Sequence, residues 1–315
     1  MAPQRLSDPL SDPAAPATVT SARAIAQGPA THHYETQLRR TWRRFVGHRL
    51  AVIGACVVLG LLAMALLAGW VSPHDPLALD TQRRFIPPLQ NSSFILGTDE
   101  MGRDLLSRLF YGGRISLVVG IAAMFATIVT GMTIGVISGF YGGRVDNLLM
   151  RFTDTMLCFP QVFLLLVLAA FITPTVISIA LIIGLTSWME VARIIRAQIQ
   201  YIKEQDFVQA AFALGASESR IMFRELLPNA VAPVMVSATL NVANAVLMES
   251  YISFLGYGIQ PPLASWGNML TNAQSYFDLA PWLAILPGIM ITLTVMSFNF
   301  LGDGLRDALD PRLRM

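Results

Sequence analysis

Apolar residues in this chain of 315 gather into long runs separated by short polar stretches. A helix needs about 20 apolar residues to cross a bilayer core. Six crossings can be drawn on that basis: 50–71, 115–140, two that share the uncharged run 155–189, 230–250 and 282–301. The shared run divides near Thr173-Pro174-Thr175. Its second half is short before Glu190, and the helix is expected to continue out of the membrane through Arg193 and Arg196, which share a face with Glu190 at three-residue steps. In the second crossing Gly131, Gly135 and Gly139 recur every four residues. That spacing permits close helix packing, either within this chain or against another subunit. In the fifth, Ser237, Asn241, Asn244 and Met248 form one helical stripe, with Glu249 beside it. Polar groups at membrane depth are costly unless paired or facing water. The stripe therefore reads either as the lining of a path for polar solutes or as a set of interhelical hydrogen bonds.

Charge gives the crossings an orientation. Seven Lys/Arg precede the first crossing, two lie between the second and third, five between the fourth and fifth, and three follow the sixth. The opposite side carries five, all from Arg83 to Arg114. By the positive-inside rule both termini and the 190–229 loop are expected in the cytoplasm. Arg39, Arg40, Arg43, Arg44 and Arg49, with Trp42 and Phe45, make a basic collar suited to a membrane surface. Residues 1–36 read as a disordered cytoplasmic tail; they are too long for the start of a cleaved signal peptide, and the apolar run 50–71 exceeds a signal core of about 7–15 residues. His32-His33 has no further ligand nearby. Cys56 and Cys158 sit in apolar runs and read as small core residues.

The chain is 54% hydrophobic and 13% charged, with a net charge of +2, which excludes a soluble domain and gives no basis for nucleic-acid binding. No catalytic centre emerges. Lys203 is the single lysine and follows no glycine-rich loop, so the phosphate-binding G-x-x-x-x-G-K-[ST] pattern is absent. All four histidines lie at or before His74, and neither a zinc-protease nor a serine-hydrolase pattern occurs. The chain is expected not to be an enzyme and to hold no cofactor or metal.

The loop between the fourth and fifth crossings is more specific. Residues 206–229 read as a short helix, a glycine break, a second short helix and a proline that opens the next crossing. Asp206 and Gln209 have capping-box spacing, Gly215 suits the position just past a helix end, and Ser217 can cap the second helix. This segment resembles the "EAA" loop of bacterial ABC importer permeases: Gln209-Ala210-Ala211, Gly215 and Leu226-Leu227-Pro228 fall in register with it. Gln209 replaces the usual Glu, and Glu225 stands where related permeases often have His. Two further segments extend the resemblance. Leu96-Gly97-Thr98-Asp99-Glu100-Met101-Gly102-Arg103-Asp104 is similar to the L-G-T-D-x-x-G-R-D signature of peptide and nickel permeases. The residues themselves suggest a capped surface helix over 99–111, solvated and self-paired through Arg103 and Arg108, in preference to a calcium site. Ser253-Phe254-Leu255-Gly256-Tyr257-Gly258, Pro261-Pro262 and Ser265-Trp266-Gly267-Asn268 resemble the run after the fifth span of the same permeases, a rigid loop in which Trp266 suits a membrane interface. The ending from Asn299 to Pro311 also matches.

The resemblance covers residues 37–315 and is to the C-type permease subunit of dipeptide, oligopeptide and nickel ABC importers. It implies an all-α membrane protein of six transmembrane helices with the type I ABC importer transmembrane fold, in the bacterial cytoplasmic membrane. It divides the chain into an N-terminal permease region at 37–112, the transmembrane domain proper at 113–307 with a coupling loop at 190–229, and a cytoplasmic tail at 308–315. Implied partners are a second, homologous permease subunit, two cytoplasmic ATPases carrying the ATP and Mg, and an extracytoplasmic solute-binding protein. The implied coupling residues are Gln209, Ala210, Ala211, Gly215, Ala216, Arg220, Arg224 and Pro228. Small side chains there allow close docking, and the two arginines either steer an acidic groove or line a solvated face. The translocation path falls to Ser237, Asn241, Asn244, Met248 and Glu249. The rival reading is an ion-gradient-driven secondary transporter or channel. That reading expects mid-membrane ionisable groups or inverted repeats, and crossings one to three and six contain no charged residue.

Overall fold

The computed structural model describes residues 37–271 and 273–309. The tail expected at 1–36, with His32-His33, and residues 310–315 lie outside the described residues. The chain divides into residues 1–40 and a compact unit of residues 41–315. Among the described residues there is no strand, only the isolated bridges Asn91–Phe94 and Thr98–Asp104.

The main helices are α1 (Gln37–Gly47), α2 (Arg49–Leu66), α3 (Leu105–Tyr141), α4 (Gly143–Leu157), α5 (Gln161–Phe171), α6 (Val176–Leu185), α7 (Trp188–Lys203), α8 (Asp206–Ala213), α9 (Val231–Phe254), α10 (Trp266–Thr271) and α11 (Trp282–Leu309). Four of these, α2, α3, α9 and α11, are long and apolar enough to cross a membrane. The pairs α4–α5 and α6–α7 bend by 84° and 48°, and six helices qualify if each bent pair is one span.

The third and fourth crossings are therefore not simple rods. Helices α5 and α6 have 11 and 10 residues, which span only about 15–17 Å at 1.5 Å per residue. The chain breaks before α5 at Pro160, which supplies no backbone N–H. It breaks before α7 where the Thr186 and Ser187 hydroxyls donate back to the Ile182 and Ile183 carbonyls. Gln161 Nε2 donates to Ser187 Oγ at 2.7 Å and ties the two breaks together. The expected division at 173–175 is present as a reciprocal capping box between Thr175 and Ser178.

Helix α3 is the centre of the molecule and packs against α7, α9, α6 and α2. Its glycine row faces inward. A Cβ on Gly131, Gly135 or Gly139 would lie within 3 Å of Val191, of the Ala192 carbonyl, or of Ile199 and the Arg196 carbonyl. The row thus lets α7 approach within the chain. Helix α7 is also held electrostatically, because Arg196 forms a two-pronged pair with Asp146 of α4, and Arg193 pairs with Asp154.

Two expectations about burial are corrected. Cys56 and Cys158 are both exposed on this chain. The inward face of α2 is Ala51, Gly54, Val58, Leu61 and Ala65, and Cys56 falls outside it. In a bilayer the outward face is apolar too, so hydrophobicity does not separate the two. Trp266, expected at a membrane interface, is 0% exposed. Its ring lies against Gly113, and its Nε1 donates to the Leu109 carbonyl at 3.0 Å.

Candidate functional site

The 204–230 segment folds as a hairpin on the end of α7 and α3. Helix α8 ends in a Schellman arrangement: Gly215 N donates to Phe212 O and Ala216 N to Ala211 O, with Gly215 at φ +77°. This is the expected role of Gly215. The expected capping box is not formed. Gln205 is the N-cap, Asp206 is already helical, and no side chain caps the end. The Gln209 amide instead donates to the Lys203 carbonyl at 2.8 Å, satisfying a carbonyl left open at the end of α7. Ser217 occupies its N-cap position without a side-chain bond. The second half is a turn at Glu218–Arg220, a π-helical stretch at Ile221–Leu226 and a turn at Leu227–Asn229 that contains Pro228.

The hairpin has two unlike faces. Underneath, Val208, Ile221 and Leu226 are fully buried in a cluster with Val136 and Phe140 of α3 and Ile195, Ile199 and Ile202 of α7. Phe140 stacks with Phe212, Lys203 Nζ donates to the Phe140 carbonyl, and Tyr141 donates to Glu218. On top, Leu214 is 88% exposed and Phe223 66%, beside exposed Phe207, Ala210, Gly215, Arg220, Arg224 and Pro228. Ala211 and Ala216 are half-buried at the edge. Large apolar side chains thus stand exposed on a segment whose other side packs against the central helices.

Along α9, the polar stripe is partly accessible. Asn241, Asn244 and Met248 are half-buried and Ser237 is buried. Asn241 Nδ2 donates to the Ser237 carbonyl within the same helix. Glu249 stands apart at 0% exposure, accepting from Ser116 of α3 at 3.0 Å and Ser253 at 2.8 Å.

The 96–104 motif is not part of a separate surface helix. The helix starts at Leu105, capped by Asp104, and runs without interruption into the second crossing. Asp99, Arg103 and Arg108 are buried, not solvated. The expected self-pairing does occur. Asp99 accepts from the Met101 and Arg103 backbone, pairs with Arg103 Nε at 2.6 Å and lies 3.4 Å from Arg108 Nε, while Arg103 also reaches Glu100. Gly97 and Gly102 make this compaction possible, both at positive φ and with a carbonyl oxygen where a Cβ would stand. Their left-handed turns fold the charges inward, and the charge pattern alone gave no sign of it.

Residues 131–315 match the family described as "Binding-protein-dependent transport system inner membrane component", and residues 36–88 match the "N-terminal TM domain of oligopeptide transport permease C". Among curated proteins, the chain is 38% identical to the di/tripeptide transport system permease protein DppC of Pseudomonas aeruginosa, over 89% of this chain and 94% of the relative. It is 37% identical to the dipeptide transport system permease protein DppC of Haemophilus influenzae, over 92% and 100%. It is 36% identical to the oligopeptide transport system permease protein OppC of Bacillus subtilis, over 86% and 88%.

Proposed function

From the premise that this chain belongs to the family of binding-protein-dependent transport system inner membrane components, we propose that it carries peptides or similar small solutes and forms half of their path through the cytoplasmic membrane. It is a permease subunit of an ATP-binding-cassette importer. The other half of the path belongs to a second, homologous permease. Two cytoplasmic ATPases, which hold the ATP and Mg, dock on the exposed face of the hairpin, and a solute-binding protein delivers cargo from the opposite side.

The observation that carries this reading is the two-faced hairpin. A partner seated on Leu214 and Phe223 moves Val208, Ile221 and Leu226, and these are packed into α3 and α7. Ala210, Ala211, Gly215 and Ala216 keep the docking face low, Gln209 ties it to the end of α7, and Pro228 sits at its junction with α9. Arg220 and Arg224, both exposed, offer positive charge to an acidic groove on the ATPase. Transport proceeds by alternating access: ATP closes the two ATPases, the hairpins follow, and the central helices reorient the Ser237, Asn241, Asn244 and Met248 stripe. ATP drives this only by binding one conformation more tightly than the other.

The test is solute uptake by proteoliposomes containing this chain with the subunits that co-purify from its native membrane. Uptake is expected to require ATP and the binding protein and to persist when a protonophore and ionophores collapse the ion gradients. Uptake by the chain alone, driven by an imposed gradient, overturns the proposal in favour of a secondary transporter.

A further inference from the structure

Glu249 is a wholly buried carboxylate, and its surroundings are organised around it. Ser116 Oγ donates to Glu249 Oε2 at 3.0 Å and accepts from the backbone N–H of Trp266 at 3.2 Å. Ser253 Oγ donates to Oε1 at 2.8 Å and accepts from the backbone N–H of Ile259 at 3.1 Å. A hydroxyl has one proton and a backbone amide can only donate. In both serines a lone pair holds the amide, which leaves the hydroxyl proton for Glu249. One amide lies within the segment between α9 and α10, and the other opens α10.

The same segment is fitted to α9 by its glycines. A Cβ on Gly258 would stand 2.0 Å from Ser253 Oγ, and one on Gly267 would stand 2.6 Å from Ser250 Cα. Glu249 also lies off the polar stripe, about 110° around α9 from the stripe's centre at 100° per residue. The loop exposes Leu255, Tyr257 and Leu263, and residues 251–281 contain no Lys or Arg, as expected for the side opposite the hairpin.

We infer that Glu249 is a positioning residue: through the Ser116 and Ser253 hydroxyls its carboxyl group pins the start of α10 at Trp266 to α3 and the preceding loop at Ile259 to α9, and so sets the surface that engages the solute-binding protein. It does not touch cargo. This rests on the importer reading for its consequence, but not for its geometry.

The experiment has two arms. In the first, Leu263→Cys carries a nitroxide label in a background with Cys56 and Cys158 replaced by Ser. The label is expected to become more mobile in Glu249→Gln, Ser116→Ala and Ser253→Ala. In the second, the complete importer is assayed with varied concentrations of loaded binding protein. The half-saturating concentration is expected to rise about tenfold, since each relay is a buried hydrogen bond, while the maximal rate changes less than about twofold. An immobile label, serine variants with wild-type half-saturation, or a Glu249→Gln defect that depends on the charge of the peptide each overturns the inference; the last would place Glu249 on the path. Should Glu249→Gln fail to accumulate, the serine variants, each lacking one hydroxyl, decide both arms. If the unmodified assembly shows no ATP-driven uptake, the importer reading fails, and label mobility alone still decides the positioning role.

Discussion

At Gly215 the backbone conformation and the proposed docking surface meet in one residue. Nothing lies within 4 Å of a Cβ built there, yet φ is +77°. A substitution is therefore penalised by conformation and not by collision. Gly215→Val is expected to cost roughly 1–2 kcal/mol locally, to leave membrane insertion intact and to reduce co-purification of the ATPases about tenfold. Gly215→Asn, which tolerates the left-handed region, is expected to retain most of it. Equal loss in both variants would mean that the partner requires the bare glycine surface. Asp99 poses the opposite problem. Asp99→Asn leaves Arg103 and Arg108 buried beside a neutral group, and the expected destabilisation is about 3–5 kcal/mol. Asp80→Ala, which breaks the exposed pair with Arg83, is expected to cost less than about 1 kcal/mol. Thermal unfolding of both variants in the same detergent measures the contrast.

Among the elements, the glycine row on α3 gives the clearest prediction. Gly135→Leu drives a side chain into the Ala192 carbonyl, 2.6 Å from the Cβ position, and is expected to destabilise by about 1–3 kcal/mol or more. Gly60→Ala on α2, where nothing stands within 4 Å, is expected to be neutral or stabilising by up to about 1 kcal/mol. Melting curves that fall equally in both would remove the row from the α3–α7 contact. The row was legible in the sequence as a spacing, but not as to which neighbour it met. The hairpin was legible because Gly215 and Pro228 punctuate it, and the division at 173–175 because polar residues interrupt an apolar run. The bends at Pro160 and Thr186-Ser187 were missed because both fall inside the uncharged run 155–189, where only the break at 173–175 was read. Cys56 was misplaced for a related reason: inside a membrane the core and the lipid make the same demand on a side chain. The buried charges at 96–104 were misread because alternating signs describe a solvated helix as well as a folded-in knot, and only the two glycines distinguish them.

For the whole molecule, the number of crossings is the property on which coupling depends. Helices α2, α3, α9 and α11 cross by length and composition, whereas α4–α5 and α6–α7 could each span or turn back. Four and six crossings both leave the termini together with the hairpin, so terminal location cannot separate them. Thr173 can, because it lies between α5 and α6. In a background lacking Cys56 and Cys158, Leu214→Cys, Leu89→Cys and Thr173→Cys are labelled in intact cells with a membrane-impermeant maleimide. The charge asymmetry predicts that Leu89→Cys reacts from outside and Leu214→Cys reacts only after permeabilisation. Six crossings predict that Thr173→Cys behaves like Leu89→Cys. The bends are then kinks within true spans, and α7 reaches from mid-membrane to the hairpin as one lever. Reaction of Thr173→Cys only after permeabilisation would make both bent pairs re-entrant, and movement of the hairpin would have to reach the far side through α3 alone.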